Sequence, residues 1–208
     1  NWCREFHSKS DARVFEPYSI SDWLESWCFI ITFVGQYINE NRFWNELRKS
    51  FQSQLLYLIK HLEYHGKFTN NHILNNGRCL YITGRLLTLE EVEILGKEII
   101  YNEFQEIVQD GVYQEGSSHY QLLLTKSFLE MLFVAELTGD VDFESWLRMN
   151  VQKMRYVCET LLSQYPTVEY PLFGDISPDV SPDWMLGFPF STKIKKISAW
   201  QNLFRISI

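Results

Sequence analysis

The chain has 208 residues, with 19 Lys and Arg against 26 Asp and Glu and a formal charge of −7. That length, with 46% hydrophobic residues and no low-complexity tract, excludes a disordered chain and suffices to bury a core without disulfides or metals. The acidic balance excludes a dedicated nucleic-acid binder, which needs a basic surface to neutralise phosphates.

Read in order, the chain is helix after helix. Ser19 and Ser21 are expected to cap a first helix reaching Ile38, with Trp23, Trp27, Ile30 and Val34 on its inner side. Trp44, Leu47, Phe51, Leu55, Leu58 and Leu62 recur at helical spacing and predict a second helix ending near Gly66. A third starts after Thr69 or Asn70 and reaches Leu87. Thr88-Leu89-Glu90-Glu91 reads as a capping box opening a fourth, with Val92, Leu95, Ile99 and Val108 inward, broken by Asp110-Gly111. Ser117 or Ser118 caps a fifth through Leu137, Thr138-Gly139-Asp140 turns the chain, and a sixth runs from Phe143 to Leu162. No window before residue 190 demands a strand. Short connections between long helices predict antiparallel neighbours, in a bundle or a curved array of hairpins.

Residues 1–163 therefore read as one all-α domain. Residues 164–192 hold five of the six prolines and read as a functional loop of the same domain. Residues 193–208 read as a tail or the start of a further β domain.

The longest apolar run, Trp27 to Val34, is too short to span a bilayer. The chain opens at Asn1 without Met or a visible signal peptide, which predicts a fragment or processed form and leaves the compartment open. Cys3, Cys28, Cys79 and Cys158 form no CxxC pair and are expected to be free thiols, mostly buried in apolar helical patterns.

Chemistry-bearing patterns are few. His61-Leu-Glu-Tyr-His65 superficially matches a zinc helix, but the glutamate stands in the wrong place and no third ligand is evident, so no metal is expected. No phosphate-binding glycine loop or nucleophile elbow is present, and no cofactor is implied. Between Leu55 and Thr88, Lys60, Lys67, Arg78 and Arg85 outnumber the one acid, Glu63, whereas Leu89–Glu115 holds eight acids and one Lys. That contrast predicts either two solvated helix faces or a local cationic cleft for an anionic substrate.

Two segments concentrate polar groups. In the first, Asn70, Asn71, His72, Asn75, Asn76 and Arg78 crowd one helix start, more amides than capping requires, as a buried polar layer lining a site would. The second, Asp110 to Tyr120, places Glu115, His119 and Tyr120 around a helix N-terminus. Aromatic residues, at 16%, suit both a core and stacking against sugar rings.

These segments together resemble the helical domain of the heparinase II/III-like polysaccharide lyases and their alginate-lyase relatives. The resemblance rests on Phe15-Glu-Pro17-Tyr18-Ser-Ile-Ser21, on Asn71-His72-Ile-Leu-Asn-Asn76 followed by Leu80, on Asp110-Gly111 through Glu115, Ser117 and Tyr120, and on Phe173-Gly-Asp175. It implies an incomplete α/α toroid, a β-sandwich domain following it, and β-elimination on an anionic, uronate-containing polysaccharide. It also leans towards a bacterial periplasmic or secreted setting. It implies catalytic roles for Asn71 and His72, which would neutralise the uronate carboxylate, and for Tyr120 as general base, general acid or both. Asn76, Arg78, Glu115 and His119 are then the substrate-contacting or supporting set. Two departures stand out: Phe15 replaces the usual Trp, and His119 precedes Tyr120 rather than following it. The alternatives are an inverting glycoside hydrolase using Asp110, Glu115 or Asp175, and a non-catalytic glycan-binding or scaffolding domain.

Overall fold

A computed structural model describes residues 16–37, 41–64, 71–163, 171 and 173–175. The expectations placed on Cys3, Phe15, His65, Lys67, Thr69, Asn70, most of the proline-rich stretch and residues 193–208 lie outside the described residues. The elements are α1 (Pro17–Val34), a 3-10 turn (Gly35–Tyr37), α2 (Asn41–Lys60), α3 (Asn71–Leu87), α4 (Glu90–Ile107), β1 (Val108–Gln109), β2 (Val112–Tyr113), α5 (Ser118–Thr138) and α6 (Val141–Ser163). The protein is all-α apart from one minimal hairpin. Among the described residues no helix is long and apolar enough to cross a membrane. The chain divides into two compact units, with the boundary inside α4 between Tyr101 and Asn102.

In the first unit, α1 starts at Pro17, two residues before the first of the expected serine caps. Proline at the first helical position forfeits no hydrogen bond and is pre-set to a helical φ. Ser21 lies inside the helix and donates to the Pro17 carbonyl at 2.9 Å. The buried side of α1 also differs from expectation. Ile20, Leu24, Cys28 and Ile31 are buried, while Trp23, Ile30 and Val34 are exposed. Helix α2 buries Leu47, Phe51, Leu55 and Leu58 as its periodicity predicts. It ends at Lys60, well before Gly66, so His61 is no longer helical and the zinc-helix geometry does not arise. Its ring instead stacks on Tyr57, with centroids 4.0 Å apart.

Cross-helix pairs reveal direction. Ser21 meets Asn76, Asp22 meets Arg78 and Cys28 meets Thr83, at nearly constant sequence separation, so α1 and α3 run parallel. In the α3–α4 pair, Gly77 opposes Ile99, Tyr81 opposes Gly96 and Gly84 opposes Glu93, the mark of an antiparallel hairpin. Its backbones come so close that a Cβ on Gly96 would lie 2.8 Å from the Tyr81 Cα.

The turn between α3 and α4 overturns the capping-box reading. Thr88 has φ 60°, so it is the left-handed residue closing α3 and not the cap opening α4. The Leu89 N–H reaches back to the Gly84 carbonyl at 2.8 Å, completing the C-terminal motif that glycine usually serves. Glu90, Glu91 and Glu93 then occupy the first turn of α4, where the helix dipole favours acids.

The second unit contains the hairpin that the sequence reading missed. Val108 pairs with Tyr113 and Gln109 with Val112. Asp110 and Gly111, with φ 49° and 86°, make the two-residue turn for which Asp-Gly is the preferred pair. Asp-Gly therefore reverses the chain as a hairpin and does not merely break a helix. Helices α5 and α6 are antiparallel, since Thr125 meets Cys158 while Glu136 meets Arg148. Gly139, at φ 71°, closes α5 as expected. Phe104, Phe128, Phe143 and Trp146 form the aromatic part of this core, Phe143 stacking on Trp146 at 5.5 Å.

Cys28, Cys79 and Cys158 are free and buried, as predicted. Cys28 and Cys79 both approach the Thr83 hydroxyl. Burial pushes the Cys28 thiol up to about 12.

The left-handed Thr88 generates a prediction. A β-branched residue there costs roughly 1–2 kcal/mol relative to an unstrained backbone. Thr88→Gly is expected to raise stability by about 1 kcal/mol in urea denaturation, after the extra chain entropy of glycine is deducted. Unchanged or lower stability would contradict the strain.

Candidate functional site

Each unit gathers one of the two polar segments. In the first unit, the side of α1 carrying Tyr18, Ser21, Asp22 and Glu25 lies against the first turns of α3. Asn76 is fully buried at 0% exposure, and its amide is saturated. The Glu63 backbone N–H donates to Asn76 Oδ1 at 3.0 Å. Asn76 Nδ2 donates to Ser21 Oγ at 3.2 Å and to Glu63 Oε2 at 3.1 Å. A buried amide this well partnered is structural support, and the structure gives Asn76 no open edge for a sugar.

Glu63 turns its other oxygen to His72, with Oε1 3.1 Å from Nδ1. The His72 side chain is 44% exposed, and its ring lies 5.0 Å from that of Tyr18. Asn71 is half-buried at the first position of α3. Asn75 donates to the Tyr18 carbonyl and to Asp22, each at 3.4 Å.

Arg78 departs from the substrate-binding expectation. Its Nη2 donates to Asp22 at 3.1 Å, and its Nε lies 3.0 Å from Glu25 Oε2, close but poorly aligned for a hydrogen bond. Arg85 is likewise paired, with Glu93 at 3.2 Å. The cationic-cleft expectation therefore fails for both arginines. Counting charges along the chain ignored acids that packing delivers from α1 and α4.

In the second unit, Ser117 caps α5 by accepting from the Tyr120 N–H at 3.1 Å. Its hydroxyl donates in turn to the Asp175 carbonyl. The Ser118 N–H donates to the Phe173 carbonyl at 3.2 Å, and the Phe173 N–H donates back to Ser118 Oγ at 3.0 Å. The Phe173-Gly-Asp175 piece of the proline-rich stretch is thus bound to the helix start that carries Tyr120. Gly174, at φ 76°, lies flat against Gly116, where a Cβ would meet the Gly116 carbonyl at 2.5 Å.

Gln121 pins the hairpin to the same place. It accepts from the Tyr113 N–H at 2.7 Å and donates to the Gly111 carbonyl at 3.0 Å. Tyr120 is half-buried, with its ring 6.2 Å from that of Tyr113. His119 is buried, contrary to a substrate-contacting role, because it falls on the inward side of the α5 first turn. Glu115 and Asp110 are exposed, and Lys153 lies 3.9 Å from Asp110.

Tyr113 was not anticipated. It is 2% exposed, and no atom among the described residues meets its hydroxyl in hydrogen-bond geometry. Burial first, and the Glu115 carboxylate after it, push this phenol well above its ordinary value of 10.0. Glu63, Tyr18, Asp22 and Glu25 were also missed as site residues. The signal for Glu63 lay in the His-Leu-Glu-Tyr-His stretch, where the glutamate outside zinc-helix register carries the information. Among the described residues no group of three or more His, Cys, Asp or Glu could hold a metal ion.

No family model matches this sequence, and comparison with curated proteins and with solved structures finds no match.

Two predictions follow from this geometry. Alanine at Gly174 carries roughly 1–2 kcal/mol of left-handed strain plus a backbone clash. Gly174→Ala should detach the segment and accelerate hydrogen exchange at the Ser118 amide, and unchanged protection there would refute the docking. Tyr113→Phe removes a buried hydroxyl that lacks a partner, so stability at neutral pH should stay level or rise by about 1 kcal/mol. The wild type should lose stability as pH rises past 10.0, where the unfolded phenol ionises and the folded one does not. The variant should lose less on an alkaline denaturation curve.

Proposed function

We propose that the protein is a polysaccharide lyase-like enzyme, cleaving a uronate-containing polysaccharide by β-elimination on an incomplete α/α toroid. One observation carries the reading: the four sequence pieces that resemble the lyase family are joined pairwise by direct contacts. The first piece reaches the second through Tyr18–His72 and Ser21–Asn76. The third reaches the fourth through Ser117–Asp175 and Ser118–Phe173. Residues kept together by sequence resemblance alone need not touch; these do.

The chemistry removes the C5 proton of a uronate while the C4–O bond breaks, and the released electron pair forms the C4–C5 double bond. That proton is only weakly acidic beside a charged carboxylate, so the carboxylate must be hydrogen-bonded or neutralised. Asn71, as a neutral amide donor, takes that role with His72. Tyr120 takes the C5 proton, delivers one to the leaving oxygen, or does both in turn. Asn76 supports His72 through Glu63, and Glu115, exposed beside the hairpin, is the remaining candidate for sugar contact. Arg78 and His119 are left out of the substrate-contacting set, the first because Asp22 and Glu25 engage it and the second because it is buried.

The test is turnover of a panel of uronate-containing polysaccharides, followed by the ultraviolet absorbance of the unsaturated product. Tyr120→Phe keeps the ring and should lower kcat by about 10²–10⁴-fold with little change in melting temperature. Asn71→Ala should lower it by roughly 10²–10³-fold, and by less on a substrate whose carboxyl is esterified. New reducing ends without the unsaturated product would replace this reading with a hydrolase. Binding without any cleavage would replace it with a glycan-binding module.

A further inference from the structure

The contacts around Asn76 determine more than its own burial. A backbone N–H can only donate, so the bond from Glu63 N–H to Asn76 Oδ1 at 3.0 Å fixes which end of the amide is oxygen. The other end, Nδ2, is then a donor and holds Glu63 Oε2 at 3.1 Å. The second carboxylate oxygen is left for His72 Nδ1 at 3.1 Å. A carboxylate can only accept, so the ring nitrogen facing it must carry hydrogen.

We propose that Glu63, itself oriented by Asn76, is a positioning residue that holds His72 as its Nδ1–H tautomer and makes Nε2 the nitrogen that exchanges a proton with a bound sugar. Nδ1 keeps its hydrogen in both the neutral and the charged ring. The neutral ring therefore offers Nε2 as an acceptor for a sugar hydroxyl. After gaining a proton it offers a charged Nε2–H to a uronate carboxylate, with Glu63 balancing the positive charge. The ligand class is a sugar bearing both hydroxyl and carboxylate groups. The inference rests on the proposed function only in taking His72 to face that ligand.

The experiment is nitrogen-15 NMR of the histidine-labelled protein, with the His72 signals assigned by their absence in His72→Gln. At a pH where the ring is neutral, the wild type should show a pyrrole-like Nδ1 and a pyridine-like Nε2. In Glu63→Gln, Asn76 Nδ2 still needs an acceptor and takes the new amide oxygen, which turns the new NH₂ towards His72. Nδ1 must then accept, so the two nitrogen signatures should exchange. A lost packing contact alone would not reverse a tautomer. An Nε2–H tautomer in the wild type overturns the proposal, as does an unchanged Nδ1–H tautomer in a folded Glu63→Gln protein. If that variant does not fold, the wild-type spectrum decides by itself. The measurement needs no substrate, so an inactive protein with the expected tautomers would sink the lyase reading and leave this one standing.

Discussion

An amide buried to 0% exposure has no water to fall back on, and the first unit is arranged around meeting that demand at Asn76. Its donors and acceptor take partners from three places in the chain: Ser21 on α1, the Glu63 side chain and the Glu63 backbone beyond α2. Leaving any of them unmade would cost on the order of 1–3 kcal/mol. Packing alone would tolerate a slide of one helix along another; this amide does not. The parallel register of α1 and α3 follows, and one turn further on it brings Arg78 to Asp22 and Glu25, then Thr83 to Cys28.

The second unit uses hydroxyls and a glycine for a comparable end. Ser117 both caps α5 and holds the Asp175 carbonyl, so the helix start and a segment more than fifty residues later share one side chain. Ser118 exchanges bonds with Phe173 in both directions. The missing side chain at Gly174 is what lets the two strands of backbone lie together. Around this junction stand Tyr120, Tyr113 and Glu115, the residues with the most chemical character in the unit.

The sequence shows the helices plainly because long apolar periodicities survive any tertiary arrangement. The face of α1 is another matter. Trp23, Trp27, Ile30 and Val34 form one apolar stripe and Ile20, Leu24, Cys28 and Ile31 another, rotated by about one residue, and periodicity cannot choose between them. The choice is made by α3, whose polar first turns require Ser21 and Asp22 opposite. Thr88 misled for a similar reason: a Thr four residues short of the helix interior fits a cap as well as a left-handed stop, and only backbone geometry separates the two. The density of asparagines did announce a buried polar layer. Its anchor, Glu63, did not announce itself, because its contact with His72 forms off-helix, where no period applies. Charge was the least legible property, since Asp22, Glu25 and Glu93 neutralise arginines from other helices.

The buried thiols have a consequence beyond packing. Each touches a threonine hydroxyl in its own unit, Cys28 and Cys79 through Thr83 in the first and Cys158 through Thr125 in the second. A thiol that is both inaccessible and reluctant to ionise is nearly inert to alkylation, because the thiolate is the reactive species. Its labelling rate then measures how often the surrounding core opens. The protein thus carries native clocks in both halves of the chain, and resolving the labelled peptides would time the breathing of one unit separately from that of the other.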